Sequence, residues 1–399
     1  MSTFVLTDVS SDVWQEEFSV DAKAMGLGDG LSWSVKKHRL RGGRRDGVDL
    51  IVVDNGALRF SIIPTRGMGL WKGWYEGERL GWDSPITDGP IHPALVNLAA
   101  AGGLGWLDGF DELLARCGLE NNGAPFEIKT VNADGSESNV THGLHGKIAN
   151  LPASYVAVHV GTEPPHEIVV EGHVDETRLF GTQIKMITRI STVPGSNAFT
   201  VRDEFVNLKD QPVEMQILYH WNFGPPFLGP GARFIAPFQT ITPRDARAKA
   251  GIGEHDVYGP PEPGSTEQVY FHELLTGPHG DNRTLAMLCN KAGDKGVALR
   301  FRKDQLPAFT LWKNTGGLRD GYVTGLEPGT NYPNAKPFEK AHGRVVTLPV
   351  DGRYVTEMTL EVLAGSAGVK SIESTIKSMQ EQRAPKINPG PTEPFAPEE

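Results

Sequence analysis

Three stretches of the chain carry side chains able to move a proton near neutral pH. The first is Thr141-His142-Gly143-Leu144-His145-Gly146-Lys147-Ile148-Ala149-Asn150-Leu151-Pro152, with two histidines set among glycines. Glycine lets a backbone turn sharply and approach a ligand closely, and the free pKa of histidine lies near working pH. The second is Tyr219-His220-Trp221-Asn222-Phe223-Gly224, where an apolar strand delivers a histidine among aromatics. The third is Leu326-Glu327-Pro328, a carboxylate ending an apolar strand. Burial there would raise its pKa and suit it to act as a base. Each stretch also has a plainer reading: a glycine-rich turn with solvated histidines, a packed core histidine, and a solvated strand-end glutamate.

These side chains need rigid elements to hold them, and the pattern is one of strands. Val48–Val53 and Leu58–Ile63 flank an Asp54-Asn55-Gly56 turn, a hairpin signal. Segments 154–160, 167–174, 183–191, 199–207 and 213–218 are rich in β-branched residues, and further strands are read at 285–289, 297–301, 308–312, 322–325, 344–350 and 355–363. With no helices between them, they predict an all-β fold, a large antiparallel β-sandwich of at least twelve strands. The Arg39, Arg41, Arg44 and Arg45 cluster, with Lys36 and Lys37, reads as a solvated hairpin end. Residues 84–126 read as loop and short helix, with 91–126 packed over the sheet face that holds the site. Residues 242–268 read as a Pro/Gly-rich loop. The expected organisation is a lead-in over 1–46, a sandwich domain over 47–366 and a terminal helix over 367–384. The last segment, 385–399, has five prolines in 15 residues and reads as a disordered tail.

Composition narrows the function classes. The net charge is −10 over 399 residues, which argues against nucleic-acid binding through basic residues. The two cysteines, Cys117 and Cys289, make no disulfide framework. No apolar run approaches a membrane span, and the N-terminus has no basic and apolar leader pattern. A cytoplasmic protein with a small-molecule partner is expected.

Taken together and in order, the three motifs resemble the aldose 1-epimerase (galactose mutarotase-like) superfamily. The similarity covers about residues 48–364 and is nearest to a bacterial branch known only as a domain of unknown function. Leu144-His145-Gly146 resembles that family's Leu-His-Gly loop, and Tyr219–Phe223 its second histidine strand. Trp312-Lys313-Asn314 with Leu326-Glu327-Pro328 resembles its Trp-Asn and Glu-Pro pair. The resemblance implies a carbohydrate substrate, no cofactor and no metal. It implies His220 as general acid at the sugar ring oxygen and Glu327 as general base at the anomeric hydroxyl. It implies His145 as substrate holder and, more loosely, Arg66 as a substrate-binding arginine. Asn150, Trp312, Asn314 and His142 complete the candidate substrate contacts. Asp256 is a candidate for the family's binding aspartate. In the hexose-phosphate branch an arginine stands where Asn150 is, so an unphosphorylated sugar is expected. Trp221, Phe223 and Trp312 are candidates either for stacking on sugar faces or for the core.

Two other readings stay open on the sequence. One is a carbohydrate-binding protein without catalysis. The other is a metal-assisted sugar isomerase or lyase using His142, His145, His220 and Glu327. The discriminating geometry is whether His220 and Glu327 face one pocket about 5 to 7 Å apart, the span of one sugar.

Overall fold

Met215, Ile217, Tyr219, Trp221 and Phe223 alternate with Gln216, Leu218, His220 and Asn222 along the strand Val213–Phe223. Alternate residues of a strand point to opposite faces. In the computed structural model, which describes every residue except 28–29, 132–133, 278–279 and 399, the first set packs between two sheets. The second set faces outward, over the surface that carries the site.

The strand lies in the larger sheet, between Leu114–Leu119 and Val323–Gly329, and every pairing among the three is antiparallel. Beyond Val323–Gly329 come Ala308–Asn314, Gln268–Leu274 and Phe238–Pro243. The facing sheet is ten-stranded and includes Ile168–Thr177, Gln183–Thr192, Ala198–Asn207 and Arg353–Ala364. The expected antiparallel sandwich is therefore the architecture observed. The helix Ser366–Gln380 lays Val369, Ile372, Ile376 and Met379 on the outer side of the ten-stranded sheet, the stripe an amphipathic helix presents.

Several boundaries differ from expectation. The first 46 residues are not a separate lead-in: Ser2–Asp8 pairs with Tyr155–Val160 in one sheet, and Ser34–Arg39 pairs with Asp49–Asp54 in the other. Lys37 is not solvated. Its ammonium is buried against Asp49 at 3.0 Å, because its strand position faces inward. Leu114–Leu119, expected as loop, is a fully buried central strand. Its Leu-Ala-Arg-Cys-Gly-Leu sequence lacks β-branched residues, and burial on both faces erases alternation. The segment 242–268 holds a helical turn, Ala246–Ala250.

The proline-rich tail is ordered. Lys386–Ile387 pairs in parallel with Phe238–Pro243, Asn388 donates to Thr242 at 2.8 Å, and Phe395 and Ala396 pack beside Tyr332. These contacts, with Asn334 donating to Phe395 O at 2.9 Å, hold a segment whose composition alone predicts solvation. No helix among the described residues is long and apolar enough to cross a membrane.

Candidate functional site

The strand register creates the centre of the site. Leu218 lies opposite Gly329 and Trp221 opposite Leu326, which places His220 directly across from Glu327 on the outward face. Directly opposed side chains on one face meet. His220 Nε2 and Glu327 Oε1 are 3.1 Å apart, and both side chains are almost wholly buried. The strand position two residues before Glu327 is Gly325. A methyl group there would lie 2.4 Å from Glu327 Oε1 and 3.0 Å from His220 Cε1, so glycine keeps the space over the pair clear.

His145 arrives from a loop held against the same sheet. Gly118 N donates to His145 O and Lys147 N to Gly118 O, at 3.0 and 2.9 Å. His145 itself has φ +60° and Gly146 φ +67°. A bulky residue in the left-handed region is uncommon and is kept only where its surroundings demand it. His145 Nδ1 lies 2.8 Å from the Asn122 carbonyl. A carbonyl only accepts, so Nδ1 carries the hydrogen and Nε2 is left as an acceptor for a hydroxyl. The His145 and His220 ring centres are 5.6 Å apart, edge to face.

Aromatic rings enclose this group. Trp106 meets His145 at 4.7 Å, while Phe110 and Trp312 meet His220 at 5.1 and 5.2 Å. Trp106 and Phe110 come from the 91–113 part of the long connection, which does cover the site face. Trp312 Nε1 donates to Glu267 at 2.6 Å, and Arg244 donates to the other Glu267 oxygen at 2.8 Å. Glu267 and Arg244 form a partly exposed charged rim.

The electrostatics favour neutral groups. Burial pushes the Glu327 carboxyl well above the usual carboxylate range, reinforced by the Glu267 charge and opposed by Arg244. Burial, with His145 nearby, holds His220 well below the usual imidazole range. Burial likewise lowers His145, to about 4. Both shifts favour the uncharged forms, a protonated Glu327 and a neutral His220.

Arg66, Asn150, Asn314 and His142 are placed elsewhere. Arg66 is buried and donates to Glu112, Ile91 O, Gly109 O and Asn150 Oδ1 at 2.6 to 3.1 Å. Its donors are committed to protein atoms, so it ties the 91–113 segment to the His145 loop and does not present itself to a sugar. Asn150 is its partner, not a surface contact. Asn314 donates to Gly321 O and braces a turn. The His142 ring stacks on Phe126 at 4.7 Å and lies 4.0 Å from Glu120. Asp256 stands beside His255, 4.0 Å away. Trp221 and Phe223 are inner-face core aromatics, as strand parity requires. Among the described residues no three His, Cys, Asp or Glu are grouped to hold a metal ion.

Sequence reasoning missed Asn122, Asn222, Glu267 and Arg244. Trp106 and Phe110 had a signal, the length of the connection that carries them. Glu267 and Arg244 had none, because they reach the rim only through the pairing of Gln268–Leu274 with Ala308–Asn314. A groove of about 800 Å³ between the terminal helix and the other sheet, lined by Arg283, Arg300 and Ser374, contains none of these residues.

Comparison with known proteins agrees with this fold. The family model described as Domain of unknown function (DUF4432) matches residues 45–362. A Klebsiella pneumoniae structure, named provisionally as an aldose 1-epimerase, is 35% identical, covers 97% of this chain and 98% of its own, and superposes with a TM-score of 0.90. A galactose 1-epimerase from Lactobacillus acidophilus shares the fold at 12% identity, with TM-score 0.54 over 84% of this chain and 100% of its own. A galactose mutarotase-like protein from Clostridium acetobutylicum does so at 14%, with TM-score 0.55 over 83% and 98%. No curated protein matches the chain.

Proposed function

Because the chain belongs to the family described as Domain of unknown function (DUF4432) and has the galactose mutarotase-like fold, we propose that it is an aldose 1-epimerase acting on an unphosphorylated sugar. The observation that carries this reading is the buried His220–Glu327 pair, 3.1 Å apart under an aromatic wall with His145 beside it.

The chemistry needs two proton transfers. Glu327 takes the hydrogen from the anomeric hydroxyl as His220 gives one to the ring oxygen, and the C1–O5 bond breaks to an aldehyde. Rotation about C1–C2 and reversal of both transfers give the other anomer. Positioned acid and base groups contribute about 10²- to 10⁴-fold each. Neither oxidation nor an external reactant enters the balance. His145 Nε2, an acceptor, holds a sugar hydroxyl, and Trp106, Phe110 and Trp312 offer faces to sugar C–H groups.

The separation differs from the 5 to 7 Å span expected for two groups flanking a sugar. At 3.1 Å the pair is closed on itself, so a sugar must part the two side chains as it enters. The preference for the free sugar over its 6-phosphate rests on the sequence alone, in which Asn150 stands where the hexose-phosphate branch has an arginine. The test is anomer exchange followed by NMR across free aldoses, uronic and sulfonated sugars, and their phosphates. Exchange lost in Glu327→Gln and His220→Asn with sugar binding kept supports catalysis. Sugar binding without exchange in the unaltered protein means a binding protein on this fold. A clear advantage for a 6-phosphate contradicts the substrate class.

A further inference from the structure

Asn222 sits two residues beyond His220 on the same face of the strand and is fully buried. Its amide donates twice, to Glu112 O at 3.0 Å and to His220 O at 2.9 Å. Those two carbonyls fix the amide's orientation, since the opposite placement would set oxygen against oxygen. Asn222 Oδ1 therefore faces His220 Nδ1, at 2.6 Å. Oδ1 only accepts, so Nδ1 must carry a hydrogen.

We propose that Asn222 is a positioning residue: it holds the Nδ1–H form of His220, so that every proton His220 exchanges passes through Nε2, the atom facing Glu327. This deepens the epimerase reading and rests on it for its effect on rate. Nε2 lies 3.1 Å from Glu327 Oε1, within reach for one proton to pass between them, although the resting angle makes no hydrogen bond. The neutral form, with that proton on Glu327, suits a site this buried. When a sugar enters, the proton moves from Oε1 to Nε2, which leaves a carboxylate to take the C1 hydroxyl proton and an imidazolium to protonate the ring oxygen. An imidazole lacking the Nδ1 hydrogen could not donate from Nε2 without becoming an anion. Asn222 supports Nδ1–H in both the imidazole and the imidazolium, and Glu112 O, which fixes Asn222, lies on the segment that Arg66 anchors.

The titratable groups facing His220 are few. Glu327 comes from one neighbouring strand and His145 from the loop, while Ala115 is its partner on the other strand. Phe110, Trp106 and Trp312 complete the surround without charge.

The experiment is ¹⁵N NMR of the full-length protein labelled at histidine, with no sugar present. The His220 signals are identified by their loss in His220→Asn. The expected spectrum has a protonated Nδ1 and a bare Nε2. In Asn222→Leu the two forms should average or exchange. In Asn222→Asp the second oxygen faces the Glu112 and His220 carbonyls and so keeps a proton to donate to them, which leaves the acceptor at Nδ1, and Nδ1 should stay protonated. With a sugar found to be turned over, Asn222→Leu should lower kcat at least about 10-fold with little change in KM. Asn222→Asp should restore most of that rate. If Asn222→Leu fails to fold, the Nδ1 signals of the unaltered protein and of Asn222→Asp decide. A bare Nδ1 in either of these two proteins overturns the proposal. The expected spectra without anomer exchange in any sugar would overturn the epimerase reading and leave the tautomer assignment standing.

Discussion

Tyr219 and His220 are neighbours in sequence and stand on opposite faces of one strand, each beside a buried carboxylate. On the inner face Tyr219 donates to Asp203 at 2.8 Å, and Arg116 donates to both Asp203 oxygens at 2.6 and 2.9 Å. The remaining Arg116 hydrogens go to Gly67 O, Met68 O and Thr188. Every charge there has a partner, and the Asp203 charge raises Arg116 against the opposing effect of burial. On the outer face the His220–Glu327 contact has no such completion: Glu327 Oε1 has no hydrogen bond of sound geometry. Both pairs are buried, and what differs is the partner set. A buried ion pair that is fully hydrogen-bonded is structural, whereas one left incomplete stays neutral and exchanges its proton. The inner network also ties the larger sheet to the facing one, which holds the histidine strand still.

The sharpest way to break that contrast is to remove one carboxylate from each face. Asp203→Asn leaves the Arg116 charge buried without its counter-ion and should destabilise the fold by about 3–5 kcal/mol, seen in thermal melts. Glu327→Gln should keep stability within about 1 kcal/mol while anomer exchange falls by about 10²- to 10⁴-fold. His220→Asn should act alike, and the double variant should lose little more than either single one, since the two work as a unit. A Glu327→Gln protein with unimpaired exchange would end the base assignment. An Asp203→Asn protein that melts normally would remove the distinction between the faces.

A second change fills space without touching a polar group. Gly325→Ala puts a methyl 2.4 Å from Glu327 Oε1. It should cost roughly 10²-fold in turnover by misplacing the pair and should weaken sugar binding, with Arg116–Asp203 intact and the melt little changed. Normal kinetics in this variant would show that the sugar approaches from another side.

His145 gives a pH test. Its folded pKa is about 4 against the usual 6.5, so between those values the unfolded chain binds more protons. Stability therefore rises with pH across that window and is lost as pH falls through it, by roughly 3 kcal/mol in all. His145→Ala should flatten this slope in denaturant melts between pH 4 and 7, and should also weaken sugar binding. A slope unchanged in the variant would mean that His145 titrates normally.

The smallest expected effect lies at the base of the site wall. Asp111 accepts from Trp71 Nε1 at 2.7 Å, and burial, opposed chiefly by Lys72, pushes its carboxyl up to about 7. Here the folded state binds more protons, so stability declines as pH rises from about 3.8 to 7. Asp111→Asn should raise the melting midpoint at pH 8 and change little at pH 4. Equal shifts at both pH values would assign the effect to packing.

The sequence by itself determined the sandwich and singled out His220 and Glu327 as candidates. Period-two alternation, as in Val213–Phe223, reports which face a residue occupies and sets His220 on the face away from the core, whereas Glu327, on a strand buried throughout, was marked only by its place between an apolar run and a proline. The motif order also pointed to the family. Strand register and loop closure were decided only in the tertiary structure. Local sequence does not encode which residue of a distant strand lies opposite His220, so the 3.1 Å contact with Glu327 was not legible. Arg66 shows the same limit from the other side. An arginine after a hairpin suits an anion or a hydroxyl equally well, and only the folding of Glu112, Gly109 and Asn150 around it turned it inward. Leu114–Leu119 hid because a strand buried on both faces has no alternation to read. The tail hid because a few specific contacts outweigh a composition that averages over them.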